Sequence, residues 1–246
     1  MEGWAFWTAA TVAAVLVGMA KGGLPMVGLL SVPILSLVIP PVAAAGLLLP
    51  IYVVSDLFGL YAYRRAFDAR VLAIFVPGMT AGVGLGWATA SVTPEWLVTG
   101  LVGLIGAAFA LFLILRRGAE PAPRPARVAP GLFWGAVAGF TSFVFFNDTA
   151  TTEIYTLPLR MEKAVFAGTA TIAFAYVNAI KLVPYWALGQ INLGNLKIAA
   201  VLAVPASLAV FAGYRLVKWL PEALFFRLVT WALLLVSLRL MWEGFA

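Results

Sequence analysis

The sequence predicts an all-α integral membrane protein of two inverted-topology repeats, each a broken-helix hairpin followed by three transmembrane helices. Three observations predict it. The first is composition: 63% of the 246 residues are hydrophobic and 11% are charged, against about 45–50% and about 25% in a soluble domain. So much apolar surface does not fit inside one water-soluble core. The second is a run of apolar segments, roughly 4–20, 24–39, 42–62, 71–89, 97–115, 131–146, 164–188, 197–214 and 224–242, most of them near the ~20 residues that a crossing needs. The third is the uneven spread of basic residues between the connections.

Composition also removes function classes. The chain has no cysteine and no histidine, so thiol nucleophiles, thiolate metal sites and the commonest general base and metal ligand are missing. Neither a metal nor a cofactor is implied, and no clustered acid motif suggests an enzyme. The net charge of +6 reflects membrane topology, since basic residues collect in cytoplasmic loops; no nucleic-acid partner is implied. Met1-Glu2-Gly3-Trp4 places an acid ahead of the first apolar run, unlike a signal peptide, so the first segment reads as mature protein.

The elements follow in order from the basic residues. Connections 63–70, 116–130 and 215–227, with Arg160 and Lys163, hold 12 of the 16 Lys and Arg; connections 40–41, 90–96 and 189–196 hold none. The first group is placed in the cytoplasm and the second outside. Segment 42–62 then runs inward, 71–89 outward and 97–115 inward. In the second half 164–188 runs outward, 197–214 inward and 224–242 outward. The pair 4–20 and 24–39 must start and finish outside, and 131–159 must start and finish inside. Each half is thus a returning hairpin plus three spans, and an odd number of spans inverts the second half. Both termini are expected on the non-cytoplasmic side of the cell inner (plasma) membrane.

The residues repeat accordingly. Gly46, Asp56 and Tyr63 recur as Gly168, Asn178 and Tyr185 at a constant offset of 122, and Gly18 and Gly139 open the two hairpins at nearly the same offset. Such duplication is common in secondary transporters. The halves are 1–116 and 131–246, joined by a Pro/Arg-rich cytoplasmic linker, 117–130.

Lys21-Gly22-Gly23-Leu24-Pro25 is the most informative motif. Two glycines and a proline break a helix inside the apolar region, and freed backbone groups are tolerated there only when protein or a wet cavity satisfies them. A lysine in the membrane costs about 2.5–3.5 kcal/mol on the insertion scale. Ammonium plus backbone N–H groups at Gly22 and Gly23 suit an anion. The competing reading is that 4–20 simply spans and Lys21 snorkels at the far interface. Asp56, two-thirds along its span, either relays protons, balances Lys21, or is a helix-packing polar residue near the inner interface. Asn178 serves interhelical hydrogen bonding or substrate contact, and Lys181, one turn later, snorkels or binds an anion. Glycines 78, 82, 84 and 86, and 100, 103 and 106, read as close-packing faces rather than phosphate loops. The nine tryptophans fall mostly near span ends, as interfacial belts do.

The Gly18-x-x-Lys21-Gly22-Gly23 break, Val32-Pro33, Pro40, and the Ala45-Gly46…Pro50…Asp56…Tyr63-Arg64-Arg65 span resemble the sulfite exporter TauE/SafE family of transporters. Gly139-Phe140-x-Ser142, Tyr155-x-Leu157-Pro158, Gly168-Thr169, Asn178-x-x-Lys181, Tyr185 and Gly189 continue the likeness over nearly the whole chain. The resemblance implies a transporter of two related halves that moves small anions, such as sulfite or sulfur-containing organic acids, across the lipid bilayer. There are two departures from the family's pattern. The cysteine implicated in substrate handling in some relatives is missing here, which counts against sulfite itself. In the second hairpin a small-residue Gly-Gly-Pro turn is replaced by Phe145-Phe146-Asn147-Asp148-Thr149-Ala150-Thr151-Thr152-Glu153-Ile154-Tyr155. That string reads as foreign to the hairpin, and no binding role falls on Asn147 or Asp148.

The sequence therefore supports a small-anion transporter working by alternating access, with Lys21, Gly22, Gly23, Asp56, Asn178 and Lys181 as candidate substrate-binding residues. Its rivals are a channel-like permease, a non-transporting membrane assembly factor and a membrane-embedded enzyme. No motif speaks to oligomeric state.

Overall fold

The computed structural model describes residues 3–22, 25–115, 125–145, 152, 155–219 and 222–245. Every regular element among them is helical. The elements are α1 (Trp4–Lys21), α2 (Pro25–Gly28), α3 (Ser31–Leu35), α4 (Pro41–Tyr63), α5 (Ala69–Ala90), α6 (Glu95–Leu115), α7 (Val128–Phe145), a 3₁₀ turn (Leu157–Leu159), α8 (Lys163–Ala187), α9 (Leu193–Trp219) and α10 (Glu222–Phe245). Six helices among the described residues are long and apolar enough to cross a membrane: α1, α4, α5, α6, and most of α8 and α9. The chain is a multi-pass membrane protein.

Local chemistry sets the helix ends. Pro25 and Pro41 open α2 and α4, at the first helical position, where a missing N–H costs nothing. Asp68 caps α5 by accepting the Val71 N–H at 3.0 Å, and Asn192 caps α9 by accepting the Asn195 N–H at 3.0 Å; each satisfies an orphan donor of the first turn. Gly189, at φ +71° after α8, takes the left-handed conformation that favours glycine. The expected return limb 24–39 is not one helix but two short ones, of four and five residues. Proline at 25, 33 and 40, with Gly28 between, leaves no uninterrupted stretch for a longer helix. Pro50, Pro77, Pro184 and Pro205 lie inside long helices, as spanning helices allow when neighbours satisfy the freed carbonyl.

The chain divides into two compact units. The first comprises 1–55, 93–116 and 185–246. In it α1 packs on α9, and α6 on α10. A Cβ at Gly18 would run into the Ala206 carbonyl, and one at Gly103 into Ser237 and Met241. A Cβ at Gly46, near the start of α4, would meet the Gln190 carbonyl in the turn after α8. Val201, Val204, Leu208 and Phe211 of α9 are between 60% and 68% exposed. Their three- and four-residue spacing makes one apolar stripe, suited to hydrocarbon rather than water.

The second unit comprises 56–92 and 117–184. Its centre is the close pair α5 and α7. Gly78 and Gly82 on one helix and Gly135 and Gly139 on the other face backbone of the partner: Leu132, Ala136, Phe75 and Met79 in turn. Four-residue spacing of small residues on both helices lets the backbones approach. The expected packing role holds at Gly78, Gly82, Gly86, Gly100, Gly103 and Gly106, each blocked by a neighbour; Gly84 differs, since nothing lies within 4 Å of a Cβ there. A Cβ at Gly168, near the start of α8, would meet the Ala66 carbonyl in the turn after α4. Phe75 stacks on Tyr155 with centroids 5.6 Å apart, and Tyr155 donates to the Arg127 carbonyl at 3.2 Å.

Candidate functional site

In the first unit the hairpin breaks at Lys21. The Gly22 N–H donates to the Gly18 and Met19 carbonyls at 3.0 and 3.1 Å, closing the C-terminus of α1. The expected donor role of Gly22 toward an anion therefore meets a competing use of the same N–H. Gly22 also allows close approach, because a Cβ at Gly213 of α9 would meet its Cα. The Lys21 ammonium stands at the negative end of the α1 dipole, a favourable place for a cation. Lys21 is half-buried, and its Nζ lies 5.9 Å from the centroid of the Tyr52 ring, within cation–π range. Gly23 lies outside the described residues.

Below that ring is a clamp on the break. Tyr52 Oη donates to the Gly28 carbonyl at 3.2 Å. Ser31 Oγ also lies within hydrogen-bond reach of Gly28 O and of the Tyr52 hydroxyl, so the two hydroxyl protons are shared among three contacts. Ser31 is fully buried. The carbonyl freed where α2 ends is thus satisfied by the Ser31–Tyr52 hydroxyl pair, as a break in a membrane-embedded segment requires. Neither Ser31 nor Tyr52 was singled out by sequence. Tyr52 stands one turn before Asp56 on α4, and that spacing was the available signal.

The second unit holds the other candidates, and it brings three of them together. Asn178 Nδ2 of α8 donates to Asp56 Oδ2 of α4 at 2.8 Å. One turn further along α8, Lys181 Nζ donates to Ser142 Oγ at 2.9 Å and to the Ser142 carbonyl at 3.2 Å. Asp56, Asn178, Lys181 and Ser142 are 2%, 6%, 1% and 1% exposed. Lys181 therefore points into protein, and the snorkelling explanation does not apply to it. A buried ammonium requires hydrogen-bond acceptors, and Ser142 on α7 supplies two. Ser142 stands three residues after Gly139 as Lys21 stands three after Gly18; that parallel was legible in the sequence.

Asn178 joins α8 to α4, and Lys181 joins α8 to α7. No group of three or more His, Cys, Asp or Glu is placed to hold a metal among the described residues. Asn147, Asp148 and the expected tip of a second hairpin lie outside them.

The family model described as sulfite exporter TauE/SafE matches residues 10–240. Among curated proteins and among solved structures, nothing matches. With 10–240 matched, which is nearly the whole chain, this membrane protein belongs to the sulfite exporter TauE/SafE family.

Proposed function

We propose that the chain carries small anions, sulfite or sulfur-containing organic acids, across the cell inner membrane by alternating access. The observation that carries this reading is Lys181: an ammonium buried to 1% exposure within an apolar helix, held by a serine of the hairpin helix. A cation kept out of water at that cost marks a pathway for negative charge. Lys21, beside the break at Gly22 and Gly23, is the second cation of the pathway. Asn178 and Asp56 line or couple the site. Family membership supports transport as the class of function.

The working parts in this reading are two inverted halves, 1–116 and 131–246, joined by a cytoplasmic linker at 117–130, with both termini outside. Reciprocal packing supports it. The hairpin helix of the first half, α1, packs on the middle span of the second, α9; the hairpin helix of the second, α7, packs on the middle span of the first, α5. Gly46 near the start of α4 faces the turn after α8, and Gly168 near the start of α8 faces the turn after α4. Inverted repeats with broken helices place their substrate sites near the bilayer midplane.

Thermal stabilisation of the purified protein by sulfite, thiosulfate, sulfoacetate and simple carboxylates tests the substrate class. Sulfur oxyanions should raise the melting temperature of the wild type and leave Lys181→Met unmoved. Equal stabilisation of both proteins would remove Lys181 from the site.

A further inference from the structure

We propose that the end of the second unit where α4 closes and α5, α7 and α8 open is a docking surface for an anionic glycerophospholipid. Arg64, Arg65, Arg70 and Arg127 take its phosphate, and its acyl chain lies along Leu57, Phe58 and Tyr61 of α4. The inference does not depend on which anion the chain carries.

Packing gathers these residues. Arg64 and Arg65 follow the last residue of α4, and Arg70 is the second residue of α5. The turn between those helices docks on the start of α8: the Asp68 N–H donates to Thr169 Oγ1 at 2.9 Å, and Gly168 leaves room for the Ala66 carbonyl. Arg127 immediately precedes α7. Its carbonyl accepts from Tyr155 Oη, and the Tyr155 ring stacks on Phe75 of α5, which ties the start of α7 to α5. All four arginines are exposed. The acids at this end among the described residues are Asp68, whose carboxylate caps α5, and Glu162, exposed just before α8. α4, α5 and most of α8 are long and apolar enough to cross a membrane, so their shared end lies at a bilayer surface.

Arg64 shows what the surface fits. Its guanidinium lies 4.1 Å from the centroid of the Tyr61 ring, and its Nη1 donates to the Tyr61 carbonyl at 2.9 Å. A long side chain is thereby held in one place, and the other N–H groups of its planar fork suit a phosphate, which they can bond through two oxygens at once. Tyr61 is itself 72% exposed, and Leu57 and Phe58, one turn earlier on the same face, are exposed too. This apolar stripe ends in an aromatic ring and a guanidinium, the order in which a phospholipid presents hydrocarbon, interface and phosphate. A soluble phosphate has no use for the stripe. The start of α7 repeats the order, with exposed Val128 beside Arg127. Topology accounts for basic residues in a connection; it does not account for a guanidinium pinned on an exposed ring at the end of an apolar face.

Electron spin resonance of labelled lipids tests this. The wild-type full chain is reconstituted in phosphatidylcholine vesicles that contain a trace of spin-labelled phosphatidylglycerol or, in parallel, spin-labelled phosphatidylcholine with the same chains. Phosphatidylglycerol should be the more strongly immobilised. Arg64→Gln combined with Arg65→Gln should abolish that preference. Arg215→Gln combined with Arg227→Gln, which removes the same charge from exposed positions of a different basic connection, should keep it. Equal immobilisation of the two lipids by the wild type overturns the proposal, and that result decides even where a variant folds poorly. Equal loss of preference in the two double variants overturns the site in favour of general surface charge. Displacement of the labelled phosphatidylglycerol by inorganic phosphate, beyond that by chloride at equal ionic strength, makes the occupant a soluble anion and overturns the lipid.

Discussion

Asn178 donates its amide proton to the Asp56 carboxylate at 2.8 Å across 122 residues of chain. The same interval separates Gly46 from Gly168 and Tyr63 from Tyr185. Two corresponding positions of the repeat we propose are therefore bonded to each other. An acid in one half meets an amide in the other, where two ionised acids would repel.

Removing the amide should destabilise the protein. Asn178→Leu leaves the buried carboxylate without that donor, at a cost of about 1–3 kcal/mol. Thermal unfolding in detergent should show a lower melting temperature. An unchanged melting temperature in Asn178→Leu would mean the hydrogen bond contributes nothing net.

The two lysines should separate by function. Lys181→Ala should abolish anion transport, since the deeply buried ammonium has no substitute. Lys21→Ala should abolish or strongly reduce it at equal membrane abundance. Lys21→Arg should rescue only in part, because a planar fork replaces a compact point charge. Wild-type uptake by Lys21→Ala would return Lys21 to the snorkelling explanation.

Tyr52 offers a finer distinction. Tyr52→Phe keeps the ring beneath Lys21 and loses the hydroxyl bond to Gly28, a change of about 0.5–1.5 kcal/mol in stability. Tyr52→Leu loses the ring as well. Substrate affinity should fall in Tyr52→Leu beyond its value in Tyr52→Phe. Equal affinities would show that the ring does not position Lys21.

Packing gives a contrast within α5 and α7. Gly139→Leu drives a side chain into the Met79 backbone and should cost at least the ~1–3 kcal/mol of overpacking. Gly84→Ala enters open space and should be neutral or stabilising by about 0.5–1 kcal/mol. Unfolding of the two variants side by side checks both directions.

Sidedness is testable because the chain has no cysteine. Ala122→Cys should be shielded from an impermeant thiol reagent in intact cells, and Leu193→Cys should react. Leu193 is preferred to its neighbour because Asn192 caps α9. Labelling of Ala122→Cys from outside would reverse the orientation.

Much of this was legible in the sequence because its causes are local. Asp68 starts α5 and Gly189 ends α8 through their own chemistry, and glycine spacing marks close backbones at Gly78, Gly82 and Gly86. What hydropathy could not tell was direction. Lys21 and Lys181 both interrupt apolar runs, yet one is half-buried over a ring and the other wholly buried against Ser142. That difference depends on which face of a helix meets which neighbour. Gly84 was misread for the same reason: it shares the spacing of Gly82 and Gly86 but points away from α7. The clamp of Ser31 and Tyr52 on Gly28 brings residues from α3 and α4 together, and no periodicity within either helix announces it.

Counterflow in proteoliposomes tests the central claim most directly. Vesicles holding purified wild-type protein and preloaded with unlabelled sulfite should accumulate labelled sulfite transiently above equilibrium. The rate should saturate, and Lys181→Met should abolish it. Labelled sulfite that equilibrates without overshoot would identify a channel, and no entry above protein-free vesicles, for sulfite, thiosulfate and sulfoacetate alike, would contradict anion transport by this chain.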